Sequence, residues 1–497
     1  GTDAQRVGAL LSSVVSRQYR LVVAQSPVRV GGQRLSPYRF RHALFQVYLY
    51  GRLDAAERAR LHAVAGTLLE QYSAQDQERL AEAAHVLARH FELGGLAEKA
   101  VQYYAMAGKY ALQLSASRAA IDHCQRALTL LQSLPGGETR DWQALDLHLS
   151  LGPPITATRG WAAPELEENY RQAEALCHKL ADDARLVPAL WLLAVYRLGR
   201  SEHAAVDRLV DRFSSLAHKI GDPDLICLAN LQVSPLYQGR LVAARQLLLR
   251  AGEARDVAQQ RSLAYRYGMS PAVVALAYLS HCEWLMGDLG RSEQALEQAL
   301  ALAARVDVPI TTCYALGRAI WQQAFAEEPT AAAQYAEKQL QITVRREFRS
   351  FELGARFLLA WAEAESGGSV QLQLERMHRI MQEYEDMGTV LNRTTFLILF
   401  AGTCGRAGQR ERALGALDEA IAVGQRTGER WFESEAYRLK GELLLRSAGG
   451  SDAFLAARRC LDTARSVAIH QGATTLAARA SGTLRSLLET DSGISVL

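Results

Sequence analysis

Proline is scarce in this sequence, the net charge is small, and long apolar runs are missing. Twelve prolines in 497 residues fall mostly between apolar-periodic segments, which favours a largely helical chain over many short strands. A net charge of +3 gives no electrostatic case for a nucleic-acid or anionic-membrane partner. No stretch approaches the roughly 20 apolar residues of a membrane helix. Because hydrophobic residues reach 49%, the composition indicates a globular rather than a disordered chain.

The cysteines give no sign of disulfides or of a metal-binding motif. They are seven, an odd number, and they are scattered and never spaced as CxxC, which is typical of a reducing compartment. No basic segment followed by an apolar one opens the sequence, so we expect no secretory signal. We therefore predict a cytoplasmic location and interpret the sequence as a domain excised from a longer chain.

A repeat of about 40 residues runs through most of the chain. In each unit a short turn, usually with glycine, follows an apolar helical segment. The successive spacings of the turns are 40, 48, 40, 40, 41 and 41 residues. The turns are Gly199-Arg200, Gly239-Arg240, Gly287-Asp288, Glu327-Glu328, Gly367-Gly368, Gly408-Gln409 and Gly449-Gly450. One unit is too long by about eight residues, and we assign this surplus to an inserted loop within Gln259–Ser270.

Each unit has the pattern of a helix hairpin. After the turn at Gly408, for example, Ala413, Leu417 and Ala420 recur at helical spacing. Such units stack into a superhelix with a continuous core and an extended concave face. HEAT-like units are an alternative, but the glycine turn and the Ala-Leu second helix favour tetratricopeptide-like units with long helices. The predicted fold class is all-α, a tetratricopeptide-like α-solenoid preceded by a partial winged-helix segment.

The first 50 residues have a different pattern from the repeats. A helix between Gln5 and Val15 is followed by strand-like segments at Tyr19–Val23 and Pro37–Phe40 around a turn with Gly31-Gly32. This order predicts the C-terminal half of a winged-helix domain in residues 1–50.

The remaining chain is divided into two predicted regions. Residues 51–135 are expected to form linker helices and the first repeat helices, and residues 136–497 the superhelix. Gly152-Pro153-Pro154 predicts an interrupted first helix in a degenerate unit, since proline disrupts helix interiors.

Four residue strings carry a family resemblance. They are Arg39-Phe40-Arg41-His42-Ala43-Leu44, Gly428-Glu429-Arg430-Trp431, Tyr437-Arg438-Leu439-Lys440-Gly441-Glu442-Leu443-Leu444-Leu445 and Arg261-Ser262-Leu263-Ala264-Tyr265-Arg266-Tyr267-Gly268. They resemble the C-terminal part of bacterial signalling proteins in which an output domain such as an adenylate or guanylate cyclase is fused to a STAND-type ATPase and then to a long tetratricopeptide region. The resemblance covers nearly the whole chain. It implies that the ATPase and cyclase domains lie N-terminal to this sequence.

The sequence lacks the GxxxxGK[ST] loop that cradles nucleotide phosphates, and its one Gly-Lys pair, Gly108-Lys109, lies in a predicted helix. We therefore expect no cofactor in this fragment. In STAND ATPases a winged-helix histidine within a Phe-x-His string contacts the nucleotide phosphate, and His42 occupies the matching position. The resemblance implies that His42 senses bound ATP or ADP in the parent protein. The alternative is local capping or packing at a helix start.

No metal site and no catalytic site are predicted. Adjacent helical residues diverge by about 100°, so neither His281-Cys282-Glu283 nor Asp122-His123-Cys124 can converge on one ion. The scattered histidines do not indicate a nucleophile and base pair. Tryptophans fall on the first helices, where core packing is the main interpretation and anchoring of a partner in the groove the alternative. They are Trp191, Trp284, Trp321, Trp361 and Trp431.

The inserted segment is the candidate binding site. Loops on a rigid scaffold concentrate binding residues, and Tyr265, Arg266 and Tyr267 are the kinds of side chain that anchor partners. His281 and Trp284 are predicted to form the adjoining wall. The alternative is that the aromatic side chains fold back and cover an irregular junction.

These patterns predict a non-enzymatic sensor and protein-interaction array. It would bind a peptide, protein or small ligand in its concave groove. The family resemblance implies that it would control an N-terminal ATPase and a cyclase-type output domain, through the helices of residues 41–69. The expected partners are a protein or peptide ligand and the ATPase domain of the same chain, with neither nucleic acid nor membrane. A self-association module of the parent protein is the alternative.

Overall fold

The computed structural model describes residues 2–26, 28–30, 33–35, 38–253, 256–446 and 451–494. The chain divides into two compact units. Unit 1 comprises Gly1–Leu114 with Asp122–Arg140, and unit 2 comprises Ser115–Ile121 with Asp141–Leu497. Helices dominate the described residues, and the strands found there all lie between Val22 and Phe40. The predicted all-α fold of tandem helix hairpins is therefore confirmed.

Among the residues that the structure describes, short strands occur near the beginning of the chain and not elsewhere. The elements up to the first long helix of unit 2 are α1 Thr2–Leu10, continued by a π-helix at Leu11–Gln18, β1 Val22–Ala24, β2 Val28–Val30, β3 Gln33–Leu35, β4 Tyr38–Phe40, α2 Ala43–Arg52, α3 Ala55–Ser73, α4 Gln77–Leu93, α5 Ala97–Gln113, α6 Ser117–Gln132 and α7 Glu138–Arg159. β1 pairs with β4 in antiparallel fashion, with Val22 opposite Phe40, and β2 pairs with β3. The predicted turn at Gly31-Gly32 and Pro37 lie outside the described residues. The winged-helix assignment stays a prediction.

The rest of unit 2 is a series of helices joined by short turns. They are α8 Pro164–Leu180, α9 Asp183–Gly199, α10 His203–Ile220, α11 Pro223–Asn230, α12 Ser234–Tyr237, α13 Leu241–Gly252, α14 Val257–Tyr267, α15 Pro271–Met286, α16 Leu289–Val306, α17 Pro309–Phe325, α18 Pro329–Arg346, α19 Arg349–Glu365, α20 Val370–Asp386, α21 Arg393–Arg406, α22 Arg410–Thr427, α23 Glu433–Leu445, α24 Ser451–Gln471 and α25 Thr474–Ile494. In the described part of the chain, no helix is sufficiently long and apolar to span a membrane.

The predicted repeat turns lie between the two helices of each pair. At Gly239, Gly287, Gly367 and Gly408 the backbone is left-handed, which explains glycine there because a side chain would be strained. Glu327 adopts the same conformation without being glycine, at φ 63°. The predicted turn at Gly449-Gly450 lies outside the described residues.

The turn at Gly199 uses glycine for a different reason. Its left-handed residue is Ser201, at φ 54°. A Cβ atom on Gly199 would lie 2.7 Å from Cβ of Trp161 and 3.0 Å from its backbone. Glycine is needed here because two chain segments approach closely, and not because of its dihedral angles.

Two local expectations are wrong. α7 runs through Pro153 and Pro154 without interruption, because both prolines are buried and tertiary packing outweighs the lost backbone donors. The inserted segment is not a loop. It forms α14, whose Leu263 and Ala264 are buried. The helices expected over residues 41–69 are found as α2 and α3, and Asp54 begins α3 with a capping box.

Within unit 2, each turn of the superhelix contacts the next. The Gly199 carbonyl oxygen accepts hydrogen bonds from the amides of Val390 and Leu391 at 2.9 and 3.0 Å. The Tyr237 carbonyl oxygen likewise accepts hydrogen bonds from the backbone amides of Arg430 and Trp431 at 2.7 and 3.1 Å. These partners lie about 190 residues apart, so the solenoid closes one turn in roughly five repeat units.

Candidate functional site

A cavity of about 120 Å³ lies in the interior of unit 2, among the first helices of successive repeats. α9, α15, α17, α19 and α21 supply most of its wall. Aromatic side chains dominate the lining, and the ring of Trp161 packs edge-on against those of Tyr314 and Phe351 at 5.3 and 5.6 Å between centroids. The aromatic side chains of the wall are Trp161, Trp191, Phe213, Tyr278, Tyr314, Trp321, Phe351, Tyr384 and Phe396.

One charged side chain, Arg318 of α17, lines this aromatic cavity. Of the described residues that form the wall, it alone carries a formal charge. Its guanidinium lies over the Tyr278 ring, 4.9 Å from the centroid. Burial disfavours the charged form, but the neighbouring tyrosine hydroxyls, first that of Tyr278, leave the pKa of Arg318 above its ordinary value. The side chain therefore stays cationic.

The positive charge of Arg318 has no counter-charge. Within the described residues it belongs to no ion pair, and its Nη1 atom is buried without a hydrogen-bond partner. Arg438 of α23 shows the usual arrangement, because its guanidinium lies 2.6 Å from the Glu435 carboxylate and 2.9 Å from that of Glu442. Arg318 is half-buried, and a charge that is partly withdrawn from water without a partner is still costly, so its missing counter-charge calls for a physical explanation.

His281 of α15 lies beside Arg318 and is neutral. Its Nε2 atom donates a hydrogen bond of 2.7 Å to the Arg318 carbonyl oxygen. Burial, aided by the charge of Arg318, lowers the pKa of His281 to about 3. The imidazole also stacks on the Trp431 ring at 5.9 Å. His281 thus adds no positive charge to the cavity and fixes the backbone that carries Arg318.

Three further polar groups on the cavity wall lack partners. The hydroxyl oxygens of Ser350 and Thr389 and the side-chain oxygen of Asn392 are buried without hydrogen bonds. All three residues line the same cavity as Arg318. Most buried polar atoms in native proteins are satisfied by protein or ordered water. Four such atoms lie on the wall of one cavity, and ordered water or a polar ligand would supply their missing hydrogen bonds.

Glycine creates part of the space. A Cβ atom on Gly354 of α19 would find no other atom within 4 Å, although the residue lines the cavity. On Gly317 of α17, a Cβ atom would lie 3.0 Å from Nε2 of Gln339. Large side chains at these positions would narrow the cavity. Gly354 can be replaced without a direct steric clash at Cβ, whereas Gly317 cannot.

A buried carboxylate lies where two turns of the superhelix meet. Glu429 accepts hydrogen bonds from the Thr394 and Ser201 hydroxyls at 2.5 and 3.1 Å. It also accepts one from the backbone N–H of Asn392 at 3.1 Å. Burial nevertheless raises the pKa of Glu429 to about 7. Asn392 lines the cavity. Because Glu429 is hydrogen-bonded to the backbone at Asn392 and to Thr394, it positions this part of the wall.

The structure gives packing roles to the predicted binding residues of α14. Tyr265 is half-buried against the core between α15 and α16. Arg266 lies 3.2 Å from the Asp224 carboxylate and over the ring of Tyr267. Tyr267 is only 6% exposed and contacts the Trp191 ring. The arrangement matches the alternative in which these side chains cover a junction, and partner binding by them stays a prediction.

The other predicted binding residues do not adjoin α14. His281 faces Arg318, and the buried Trp284 stacks with Phe432 at 6.3 Å and contacts the Arg479 guanidinium. Tyr267 precedes α15 while Trp284 lies near its end, so the two are roughly 20 Å apart along the helix. The five residues do not form one site.

The remaining predicted candidates lie as follows. His42 precedes α2, where its side chain makes no capping hydrogen bond and its ring lies edge-on to Phe45; nucleotide sensing stays a prediction. Glu283 is paired with Arg245 at 2.6 Å, and His123 contacts the Tyr104 ring. The predicted tryptophans are buried, and Trp431 lies just before α23 rather than within it.

Sequence reasoning missed Arg318 and the residues around it. One signal was available, since Arg318 is the single charged residue of α17, between an Ala-Leu-Gly run and an Ala-Ile-Trp run. The sequence around the other wall residues gives no comparable signal. These residues come together only when the solenoid has wound through a full turn.

Comparisons with known proteins add distant relatives. No protein-family model matches the chain. An uncharacterized protein of Rhizobium meliloti (strain 1021) is 24% identical over 468 residues, which cover 93% of this chain and 44% of that protein. The chain therefore spans less than half the length of this curated relative.

Three solved structures that are similar to the chain share 12% sequence identity with it. A STAND protein with a tetratricopeptide-repeat sensor from Pyrococcus horikoshii matches 84% of this chain and 74% of its own, with a TM-score of 0.39. The match to a Rap protein complexed with Competence and Sporulation Factor covers 78% of this chain and 98% of the Rap chain, with a TM-score of 0.37. Yeast Tom70 matches 84% and 90%, with a TM-score of 0.30.

Proposed function

We propose that this chain is a non-enzymatic regulatory repeat array that senses a ligand in the interior of unit 2. The observation that carries the proposal is the cavity among the first helices, in which Nη1 of Arg318 and three side-chain oxygen atoms have no hydrogen-bond partner among the described residues. Concave, mostly apolar cavities with a few converging polar groups are typical of ligand sites.

The cavity dimensions favour a small molecule over a peptide in this interior. A volume of about 120 Å³ is comparable to cavities that hold a single aromatic ring. The contacts between turns at Gly199 and Tyr237 also bring the helix ends of one turn against the next. A protein or peptide partner would then bind on an outer surface of the array.

The chemistry of the lining supports a binding role rather than catalysis. Histidine, cysteine, lysine and carboxylate side chains are missing from the described residues that form this wall. General acid–base or nucleophilic catalysis in the cavity would have to rely on hydroxyl groups without an adjacent base.

An exposed apolar stripe on α2 supports contact with a further domain. Leu44, Val47 and Tyr48 are 78%, 66% and 61% exposed and share one helix face, since they lie three and four residues apart. Apolar patches of this kind mark interaction sites. We assign the stripe to the ATPase domain that the family resemblance places before this sequence, and the greater length of the Rhizobium relative is consistent with further domains.

A ligand screen tests the proposed function. The whole chain is heated with members of a library of small metabolites, and we expect at least one to raise the unfolding temperature as its concentration rises. Gly354→Leu should abolish the increase by filling the cavity, whereas Gly354→Ala should preserve it. If no compound stabilises the wild-type chain, the sensor function is wrong.

A second measurement distinguishes domain control from self-association. Sedimentation of the chain and of Leu44→Asp reports whether the α2 stripe joins two copies. We expect a monomer in both cases. In the longer parent protein, Leu44→Asp should change the rate of ATP hydrolysis if the stripe contacts the ATPase. A dimer that Leu44→Asp dissociates would favour the self-association module instead.

A further inference from the structure

The chemical class of the ligand follows from the single charge in the cavity, and this inference rests on the proposed ligand-sensing function. Arg318 presents a guanidinium with an unpartnered Nη1 atom to a wall that contains no carboxylate among its described residues. The neutral His281 adds no charge. The site therefore lacks one negative charge, which a monoanionic ligand would supply.

The rest of the lining restricts the body of the ligand. Trp161, Trp191, Trp321 and Phe351 surround the space with apolar, flat surfaces. Such surfaces stabilise a ring or a branched hydrocarbon by burying its area. The volume of about 120 Å³ leaves room for one ring-sized group.

A carboxylate fits the polar part of the site better than a phosphate does. The planar guanidinium fork matches the two oxygens of a carboxylate, and the Ser350 and Thr389 hydroxyls are further hydrogen-bond donors on the wall of the same cavity. A phosphate dianion would leave one negative charge uncompensated beside a single arginine. The nearest wall is also aromatic, where a strongly hydrated dianion would lose its water without replacement.

We propose that the cavity binds a small organic carboxylate, with its carboxylate on Arg318 and its apolar, ring-sized body against the aromatic wall. Among the described residues Arg318 has no ion-pair partner, so the bound carboxylate supplies its counter-charge. Ligand occupancy then alters the stability of α17, α19 and the segment that carries Thr389 and Asn392.

Benzoate, phenylacetate and isovalerate are the probes, with benzamide as the neutral isostere of benzoate and inorganic phosphate as the competing anion. Binding to the whole chain is measured by calorimetry and by the unfolding temperature, up to about 10 mM probe. We expect at least one carboxylate to bind and benzamide to bind at least about tenfold more weakly than benzoate. No binding by any of the three carboxylates would overturn the proposal, as would stronger binding of phosphate.

Variants locate the bound carboxylate. Arg318→Met should weaken binding at least about tenfold, and Gly354→Leu should abolish it. Circular dichroism checks that each variant is folded, and the benzoate–benzamide comparison on the wild-type chain does not depend on any variant. Equal affinity of Arg318→Met and the wild type would refute the assignment.

The outcomes also separate this inference from the proposed function. If a neutral metabolite binds and Gly354→Leu blocks it while the carboxylates fail, the cavity is a ligand site and the carboxylate assignment is wrong. If neither carboxylates nor any library compound bind, both are wrong.

Discussion

Replacing Arg318 by methionine removes the charge of the cavity while keeping an unbranched side chain of similar length. A fully buried ion without a partner destabilises the folded state by several kcal/mol, and the cost is smaller for Arg318 because it is only half-buried. The contact between Arg318 and the Tyr278 ring at 4.9 Å offsets this by about 1–2 kcal/mol. We therefore expect the free energy of unfolding of ligand-free Arg318→Met to be unchanged or higher by about 1 kcal/mol.

Arg438→Met is the matched control. Arg438 is largely buried, and it is paired with Glu435 and Glu442. Glu435 is only 4% exposed. Without the Arg438 guanidinium, the cation that remains near its carboxylate is the Arg479 guanidinium, 3.7 Å away. Breaking a buried pair costs about 3–5 kcal/mol, so this variant should be clearly less stable than the wild type.

Urea denaturation of dialysed, ligand-free protein compares the two variants. Circular dichroism follows the loss of helix, and the transition midpoints are compared because a repeat array need not unfold in one step. The midpoint should fall for Arg438→Met and stay or rise for Arg318→Met. If Arg318→Met lowers it as much as Arg438→Met does, Arg318 has a counter-charge and the reasoning about the cavity is wrong.

Further variants test other parts of the structure. Tyr267→Ala should lower the free energy of unfolding by about 3 kcal/mol, and Arg266→Ala by less than about 1 kcal/mol; the reverse order in denaturant melts would contradict the packing role of α14. The raised pKa of Glu429 means that the folded state keeps a proton that the unfolded state releases, so stability falls by roughly 3 kcal/mol as pH rises from about 4.5 to 7. The difference in stability between Glu429→Gln and the wild type should show this slope, and a flat difference would contradict it. Gly354→Ala should raise the free energy of unfolding by about 0.5–1 kcal/mol in thermal melts. A lower stability would mean that the added methyl group clashes and that the space beside Gly354 is filled. Purified chain should not hydrolyse ATP, and turnover abolished by a substitution within it would contradict the non-enzymatic assignment.

The repeat architecture could be predicted because its signals are local. Glycines such as Gly239 and Gly408 mark turns whose left-handed backbone excludes most side chains. Prolines such as Pro271 and Pro309 occupy first helical positions, where a missing amide does no harm.

Two local signals misled because tertiary packing decided the outcome. Pro153 and Pro154 predict a break, but α7 buries both within a continuous helix. The surplus residues of one repeat predict a loop. They form α14 instead, because Gln260 satisfies the Ser270 hydroxyl and the Ala272 amide at 2.7 and 3.1 Å and ties this helix to the start of α15.

The cavity could not be predicted from the sequence, because its wall depends on how far the solenoid winds. Trp191 and Asn392 are separated by most of unit 2 in the chain, yet both line the same space. The repeat length gives the number of helices per unit but not the angle between successive units. Only the isolated charge of Arg318 within an apolar helix was visible in advance.

Hydrogen–deuterium exchange of the whole chain with and without benzoate tests the central claim most directly. The account predicts slower exchange in α17, in α19 and in residues 389–396 when benzoate is present, and no such change with benzamide or in Arg318→Met. Unchanged exchange in these segments at a benzoate concentration that saturates binding would contradict a carboxylate site inside unit 2.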